Sequence, residues 1–381
     1  MHGSLQNVIW VGEDEYLIYN LGTGKLHRLN PTAALVFELC CAGKDSDEIA
    51  RILAPVLGKD KDSSVDWIQY ALDQQLLIAE LSGQQASPAE LAAHATKLRD
   101  EGEVLAAYVC QENAATSEPG NSDYWLQLGE LAHILGRREA AKEAYHTYLK
   151  LVPENAEVRH LCSALQDEVP PSRAPDACIK QLYSRFAEFY EKNMCEELNY
   201  AAPQRVGEVL AEFLPEARDL SILELGCGTG LAGEVVHPLA AQLIGIDLSP
   251  DMIGKCKARE IYTHLQQEEI TSFLHQNRET FDLILACDTL IYFGELRQVF
   301  KPAYSHLNDG GHLLVTVEKG TKQPFSLMDS GRYAHTAGYL SEVGADCGFQ
   351  EVVIREGFLR HEYGNEVTGL VALFSKNPSS D

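Results

Sequence analysis

The chain has 381 residues, of which 45% are hydrophobic and 23% charged, as expected for a globular protein of two or three domains. Its 31 Lys and Arg against 56 Asp and Glu give a formal net charge of −25. Such a charge disfavours nucleic acid and anionic membranes as partners, because phosphates are repelled. We also expect no signal peptide or membrane-spanning segment. The ten cysteines lack zinc-ligand spacing, so a cytoplasmic protein without a metal site is predicted.

The first 81 residues combine short apolar segments with helical patterns. Three strands and two glycine-containing turns are predicted in the order 8–11, 12–14, 15–19, 22–24 and 25–29. Three helices are predicted to follow: one that begins at Asn30-Pro31-Thr32 and ends at Gly43, and two amphipathic ones over 45–56 and 65–77.

The order βββααα, with Leu29-Asn30-Pro31-Thr32-Ala33 at its junction, resembles the winged-helix-like PqqD-type domains. That family binds the leader of a ribosomally made precursor peptide, which adds as a strand to the third strand and packs on the last helix. The resemblance implies a peptide-recognition domain over residues 1–84. The residues it places at the leader are Lys25, Leu26, His27, Arg28, Trp67, Tyr70 and Ala71. A small structural domain that binds no peptide is the alternative.

Residues 88 to 155 contain two copies of a helical pattern that repeats after 34 residues. The positions that hold register between the copies are Gly102 and Gly136, Ala107 and Ala141, and Pro119 and Pro153. The pattern resembles the tetratricopeptide motif, in which small residues let paired helices approach closely. A helical linker domain over 85–172 is therefore predicted. It joins the other domains and offers them a helical wall, with direct substrate binding as the alternative.

An apolar segment at 220–225 predicts a buried parallel strand. Gly226, Gly228 and Gly230 follow it, a spacing typical of a turn in which backbone approaches a ligand. A helix and a second apolar strand then lead to Asp247. The sequence therefore predicts a βαβ unit with a nucleotide-sized pocket at the carboxyl ends of its strands.

Glu224 decides which nucleotide the pocket is expected to hold. A carboxylate beside the first glycine would repel a pyrophosphate, whereas it would attract the ammonium and sulfonium of S-adenosylmethionine. Together with 249–252, 281–288 and 309–315, this arrangement resembles the class I S-adenosylmethionine-dependent methyltransferases. A glycine-rich turn in an unrelated α/β protein is the alternative.

With the repeats and Arg173-Ala174-Pro175-Asp176, the chain also resembles, from about residue 120 to 376, a bacterial group of predicted methyltransferases with fused tetratricopeptide repeats. The fold class expected is multidomain. An N-terminal βββααα PqqD-type domain precedes central α-helical tetratricopeptide-like hairpins and a C-terminal α/β Rossmann-like, seven-stranded class I methyltransferase domain over 173–381.

The methyltransferase resemblance implies S-adenosyl-L-methionine as cofactor and S-adenosyl-L-homocysteine as product. Glu224 would serve the methionine moiety, Asp247 the ribose hydroxyls and Met252 the adenine, while Glu269 stands where an aspartate usually meets the adenine amine. The residues expected around the cofactor are Glu224, Gly226, Cys227, Gly228, Gly230, Asp247, Leu248, Met252, Glu269, Ile270 and Cys287, with Tyr183, Tyr190 and Tyr200 in a lid.

The loop after the fifth strand of such folds faces the methyl group. Arg332 could hold a peptide carboxylate bidentately, and His335 could be a general base; a surface arginine and a helix-capping histidine are the alternatives. The catalytic residues expected are Asp288, Tyr292, Arg332 and His335, and Tyr333 and Arg360 are expected to bind substrate.

The sequence thus predicts a methyltransferase (EC 2.1.1.-) that modifies a ribosomally synthesised peptide. Cys287-Asp288-Thr289-Leu290-Ile291-Tyr292 lacks the Pro-Pro-aromatic signature of amide and base methylation, so O-methylation of a carboxylate is preferred and N-methylation is second. A small-molecule carboxylate or phenol methyltransferase, whose N-terminal domains serve assembly, is the main alternative. A peptide-binding scaffold that holds cofactor without turnover is another. The oligomeric state is left open, with a homodimer as one option.

Overall fold

The computed structural model describes residues 1–12, 15–57, 62–79, 85–166, 169–322, 324–362 and 365–378. These residues form two compact units, Met1–Pro153 and Glu154–Asp381. Most of the first predicted turn, residues 13 and 14, lies outside the described residues. The predicted domain boundaries after residues 84 and 172 stay predictions. No helix in the described ranges is long and apolar enough to cross a membrane.

The first unit contains five short strands and seven helices among its described residues. The strands are β1 (His2–Gly3), β2 (Asn7–Val11), β3 (Tyr16–Asn20), β4 (Lys25–Leu29) and β5 (Leu77–Ile78). The helices are α1 (Pro31–Cys41), α2 (Ser46–Leu57), α3 (Asp62–Asp73), α4 (Pro88–Asp100), α5 (Val104–Ser117), α6 (Ser122–Ile134) and α7 (Arg138–Leu151). The strands β2 to β4 and the helices α1 to α3 occur in the predicted order, with the unpredicted strands β1 before them and β5 after them. The PqqD-type assignment stays a prediction.

The third helix ends earlier than the predicted residue 77. It stops at Asp73, and Gln75 takes a left-handed conformation with φ 59°. Leu77 and Ile78 then pair antiparallel with Gly3 and His2, a contact between residues far apart in sequence. This pairing explains why the helical pattern does not continue to residue 77.

The strands β2, β3 and β4 form an antiparallel sheet in that order, so β4 is an edge strand. On the other edge, the Asn113 side chain in α5 donates a hydrogen bond to the Ile9 carbonyl of β2 (3.0 Å). Asn30 caps α1 by accepting a hydrogen bond from the Ala33 amide (2.8 Å), as its position predicts. Ile18 and Leu29 of the sheet share a core with Val36 and Phe37 of α1, so the sheet packs on α1.

Two helical hairpins, α4–α5 and α6–α7, occupy the region of the predicted repeat. Their turns contain Gly102 and Gly136, with φ values of +83° and +69°, a conformation that favours glycine. In α6, a Cβ built on Gly129 would lie 2.4 Å from the Tyr145 ring. The small residue at this position thus lets α7 approach α6. The tetratricopeptide assignment itself stays a prediction.

Substituting Gly129 by Val should destabilise the first unit. The added methyl groups would meet the Tyr145 ring, and overpacking of a core costs about 1–3 kcal/mol. Urea unfolding followed by tryptophan fluorescence measures the effect, because the three tryptophans of the chain all lie in this unit. Gly120→Val is the matched control, since no atom lies within 4 Å of a Cβ built there. Equal stability of the two variants would contradict the packing argument.

The second unit alternates strands and helices. Its helices are α8 (Ala156–Ala164), α9 (Asp176–Phe186), α10 (Ala202–Phe213), α11 (Leu231–Val236), α12 (Pro250–Lys257), α13 (Ile270–Gln276), α14 (Arg297–Ser305) and α15 (Ala337–Asp346), with shorter helical turns at Lys192–Glu197, His237–Leu239 and Leu290–Tyr292. Its strands are β6 (Leu220–Leu225), β7 (Ala240–Asp247), β8 (His264–Gln267), β9 (Phe281–Ala286), β10 (Leu307–Lys319), β11 (Phe325–Leu327), β12 (Tyr333–His335), β13 (Gln350–Glu362) and β14 (Asn365–Ser375).

Seven of these strands form a sheet in the order β13-β14-β10-β9-β6-β7-β8. β14 runs antiparallel to both of its neighbours, while β6 to β10 are parallel to one another. The short strands β11 and β12 join at the end of β10, so the described sheet has nine strands and not the seven predicted. The Rossmann-like fold itself is confirmed.

Adjacent residues of the central strands face opposite sides of this sheet. Leu223 and Ile284 belong to a core with residues of α13, α14 and α15, whereas Ile222 and Leu283 pack with α10 and α11. Burial on both faces explains the continuous apolar runs in the sequence. The strand order reverses at β6, which has β7 on one side and β9 on the other. A crevice is expected at the carboxyl ends of the strands there.

Candidate active site

A cavity lies at the carboxyl ends of β6, β7 and β9. The structure brings together there most of the residues predicted around the cofactor, and two of the predicted catalytic residues. Those that line the cavity are Tyr183, Tyr190, Gly226, Gly228, Asp247, Leu248, Met252, Glu269, Ile270, Cys287, Asp288 and Tyr292. Lining residues for which the sequence suggested no role are Arg173, Ile179, Thr289 and Phe293.

The glycine turn after β6 has the backbone conformation that its composition predicts. Gly226 and Gly228 have φ values of +70° and +54°. A Cβ on Gly226 would lie 2.3 Å from the Thr289 side chain, whereas one on Gly228 would have no atom within 4 Å. Thr289 also donates a hydrogen bond to the Gly226 carbonyl (3.1 Å). The turn is thus fixed against the end of β9 while Gly228 leaves open space toward the cavity.

Asp247 ends β7 beside this turn. Its carboxylate accepts hydrogen bonds from the backbone amides of Gly228 (2.9 Å) and Ser249 (2.8 Å). Burial raises the pKa of Asp247, although these backbone hydrogen bonds oppose the rise. Each carboxylate oxygen keeps a lone pair, so the oriented group can accept hydrogen bonds from the hydroxyls of a ribose.

Glu224 lies in β6 and is 1% exposed, but it is not among the residues that line the cavity. It accepts a hydrogen bond from the Tyr262 hydroxyl (2.6 Å), and burial raises its pKa to about 8. Cys227 packs with Ile253 and Cys256 in a small buried cluster. These side chains therefore support the glycine turn and lie outside the cavity lining.

The remaining predicted cofactor residues, Gly230 and Tyr200, lie next to the site but outside the cavity lining. Gly230 has a φ of +92° and precedes α11, and a Cβ there would lie 2.7 Å from the Arg259 side chain. The Tyr200 hydroxyl lies 3.7 Å from the Cys287 sulfur. Neither residue lines the cavity, so their roles toward a cofactor stay predictions.

Glu269 and Arg173 form an ion pair at the end of the cavity near Ile270. Glu269 caps α13 by accepting from the Ser272 amide (2.8 Å), and it accepts from the Arg173 guanidinium (2.8 Å). Although burial opposes ionisation, hydrogen bonds from Thr271 and Ser272 and the charge of Arg173 lower the pKa of Glu269. The arginine also lies 4.9 Å from the centroid of the Phe293 ring. The sequence signal that could have pointed to Arg173 is its place in Arg173-Ala174-Pro175-Asp176, a segment that resembles the repeat-fused methyltransferases.

Three tyrosines form one wall of the cavity. The hydroxyls of Tyr183 and Tyr292 are 2.8 Å apart, and the Tyr183 ring lies edge-on to the rings of Tyr190 and Tyr292 at 6.0 and 5.9 Å. Burial raises the pKa of all three, that of Tyr292 to about 12. These phenols are therefore neutral near pH 7. They offer an aromatic wall with hydroxyl groups.

A chain of buried ion pairs extends from Asp288 away from the cavity. Asp288 pairs with Arg360 (3.0 Å), and Arg360 pairs with Glu318. Arg332 also pairs with Glu318 (2.7 Å) and with Glu362. We call these five residues the carboxylate–guanidinium network. Both arginine side chains are largely buried, at 5% exposure for Arg360 and 17% for Arg332.

The structure corrects three expectations on the substrate side. Arg332 was expected to hold a carboxylate, but Glu318 and Glu362 already occupy its guanidinium. His335 was expected to be a base, but it is fully buried, and burial lowers its pKa to about 4. The Tyr333 hydroxyl donates to the Pro171 carbonyl (2.8 Å). None of these three residues is among those that line the cavity.

Substituting Glu224 by Gln should stabilise the second unit increasingly between about pH 5 and pH 8. An unfolded glutamate loses its proton near pH 4.3, whereas burial raises the pKa of Glu224 to about 8 in the folded chain. The wild type therefore loses up to about 1.4 kcal/mol of stability per pH unit in this window. Glutamine cannot ionise, yet it still accepts from Tyr262.

Urea unfolding followed by circular dichroism tests this pH dependence, with tryptophan fluorescence identifying the transition of the first unit. Glu216→Gln, at an exposed position, removes the same charge and should leave the pH dependence of the wild type unchanged. A constant difference between Glu224→Gln and the wild type from pH 5 to pH 8 would contradict the assignment.

Residues 223–313 match the family model described as "Methyltransferase domain". The ubiquinone biosynthesis O-methyltransferase of Xanthomonas campestris pv. campestris (strain B100) is 26% identical over 134 residues, 34% of this chain and 55% of the relative. The malonyl-[acyl-carrier protein] O-methyltransferase of Bacillus anthracis is 34% identical over 99 residues, 25% of this chain and 36% of the relative. The chain thus spans about half or less of the length of these curated relatives.

Among solved structures, the magnesium protoporphyrin IX methyltransferase of Synechocystis PCC 6803 with bound S-adenosylhomocysteine has a TM-score of 0.41 and 16% identity. The match covers 53% of this chain and 99% of that one. The family match is the stronger finding, because it contains the glycine turn, Asp247 and Asp288. With this match and the geometry at the ends of β6, β7 and β9, the second unit contains an S-adenosylmethionine-dependent methyltransferase domain.

Proposed function

We propose that the chain transfers a methyl group from S-adenosylmethionine to a ribosomally synthesised precursor peptide whose leader binds the first unit. The observation that carries the chemistry is the cavity at the strand-order reversal, where the glycine turn meets Asp247. The peptide role is supported by the edge strand β4 and by the helix α3 whose side chains reach it.

The residues present fit the cofactor. Asp247 would hold the ribose hydroxyls, and Met252 and Ile270, which also line the cavity, would give apolar contact for adenine. Bound S-adenosylmethionine supplies an electrophilic methyl group on a sulfonium. The wall of Tyr183, Tyr190 and Tyr292 would face the bound cofactor and acceptor with aromatic rings and hydroxyl groups. The contribution of this chain is to orient the acceptor and remove its proton.

In the first unit, the predicted peptide-binding residues meet between β4 and α3. The Lys25 ammonium lies 3.2 Å from the Gln74 side-chain oxygen, and His27 Nδ1 lies 3.4 Å from the Tyr70 hydroxyl. Among the described residues, β4 pairs with a strand on one side only. An added strand would use this edge, and such edges otherwise need protection.

Exposure separates the residues that a peptide could contact from those that it could not. Lys25, Arg28 and Tyr70 are exposed, and Leu26 and Trp67 are half-buried. His27 and Ala71 are buried, at 9% and 0%, so they support the surface from inside. Direct contact by these two, expected from the sequence, would need movement of β4 or α3.

The sequence favoured a carboxylate acceptor held by Arg332. This arginine is instead paired with Glu318 and Glu362. A small-molecule acceptor is the alternative to a peptide. Leader dependence of methylation separates the two. The test compares a candidate precursor peptide with and without its leader.

Substituting Asp247 by Asn should weaken S-adenosylhomocysteine binding about tenfold to a hundredfold. Asparagine has one acceptor oxygen where the carboxylate uses two, and hydrogen bonds to a charged group contribute about 1.5–3 kcal/mol. Isothermal titration calorimetry on the full chain measures the dissociation constant. Asp251→Asn, at an exposed position of the neighbouring α12, is the control and should bind normally. Equal affinity of both variants would contradict the ribose role.

Substituting Tyr70 by Ala should weaken binding of the leader peptide about tenfold, because buried aromatic anchors dominate such interfaces. Fluorescence anisotropy of a labelled leader measures the affinity. Ile52→Ala, on α2 and 45% exposed against 47% for Tyr70, is the matched control. The leader should also protect the amides of residues 25–29 from hydrogen exchange. Binding that leaves these amides unprotected would rule out strand addition at β4.

A further inference from the structure

We call the part of the cavity lined by Cys287, Asp288 and Tyr292 its acceptor end. Among the described lining residues, Asp288 is the charged side chain at this end. Of the charged residues that line the cavity, Arg173 and Glu269 pair with each other, and Asp247 binds the glycine turn. Asp288 follows β9 beside Cys287 and near the tyrosine wall. The chemistry of this end is therefore set by a carboxylate.

The carboxylate–guanidinium network, of which Asp288 is a member, gives the acceptor end of the cavity an excess of negative charge. It contains three carboxylates, Asp288, Glu318 and Glu362, and two guanidiniums, Arg332 and Arg360. When all five are ionised, one negative charge is in excess. Both arginines of the network are already paired with its carboxylates. Among the described lining residues, the acceptor end therefore has no cation available for a negatively charged acceptor.

The Asp288 carboxylate is held in one orientation. Its backbone has a φ of +49°, and its amide donates to the Thr316 hydroxyl (2.7 Å). That hydroxyl donates to Oδ1 (3.0 Å), and Arg360 donates to Oδ2 (3.0 Å). Each oxygen thus accepts one described hydrogen bond and keeps a further lone pair. Asp288 is a positioned hydrogen-bond acceptor in the cavity wall.

We infer that the acceptor presents a neutral O–H or N–H group to Asp288, so that the enzyme methylates a hydroxyl or an amine and not a carboxylate. The inference rests on the proposed methyl transfer but not on the peptide role. A lone pair of the acceptor forms the new bond to carbon, and the former C–S electron pair stays on sulfur. The acceptor proton passes to Asp288. Burial raises the pKa of this carboxyl although Arg360 opposes the rise, which suits a proton acceptor.

A binding experiment tests the charge at the acceptor end without turnover. Sinefungin carries an ammonium-bearing carbon where S-adenosylhomocysteine has its sulfur, so it places a cationic donor where the methyl group would stand. Calorimetry should show the wild-type chain binding sinefungin about tenfold or more tightly than S-adenosylhomocysteine, as expected for a charge-assisted hydrogen bond. Asp288→Asn should reduce this ratio to near one.

Glu362→Gln is the matched control, because it removes a carboxylate from the same network at a residue outside the cavity lining. It should keep the wild-type ratio within about twofold. A wild-type ratio at or below one, or an equal fall in both variants, would overturn the inference. Failure of both ligands to bind would instead count against the proposed methyl transfer. Mass spectrometry of a methylated product adds a second measurement: a methyl group removed by mild alkali is an ester, which overturns the inference and leaves methyl transfer standing.

Discussion

The Arg360 ion pairs fix the geometry on which the acceptor side of the cavity depends. This side chain lies in β13 and is 5% exposed, and it joins Asp288 at the end of β9 to Glu318 in β10. Removing one partner of a buried pair leaves an uncompensated charge, at a cost of about 3–5 kcal/mol. The carboxylates and guanidiniums therefore constrain one another. The left-handed backbone at Asp288 is held as part of the same arrangement.

The cofactor side could be predicted from the sequence because its signals are local. A glycine turn, the acid before it and the acid at the end of the next strand are separated by about 20 residues, and a βαβ unit brings them together by its regular geometry. The structure accordingly places Gly228 within hydrogen-bond distance of Asp247. Glu224 was placed in the correct strand, but no sequence pattern indicated that Tyr262 would bind it.

The substrate side could not be predicted in the same way. Arg332 lies 14 residues after Glu318 and 30 residues before Glu362 in sequence, and these three meet only because β10, β12 and β13 converge there. An arginine in a polar loop sequence gives no sign of such partners. The first unit shows the same limit, since two-residue strands such as β1 and β5 are too short to have a periodicity. Their pairing depends on the whole unit being folded.

Charge links the two sides of the cavity. S-adenosylmethionine carries a net positive charge that its product lacks, so the carboxylates of Asp247 and Asp288 interact more favourably with the cofactor than with the product. A neutral acceptor adds no charge to the acceptor end, whereas a carboxylate would compete with Asp288 and Glu318 for the two guanidiniums. Because these guanidiniums are buried, freeing one would leave a carboxylate of the network without its partner. Asp288 can thus favour the charged cofactor and accept the proton, while the ion pairs of the network keep both guanidiniums from anionic acceptors.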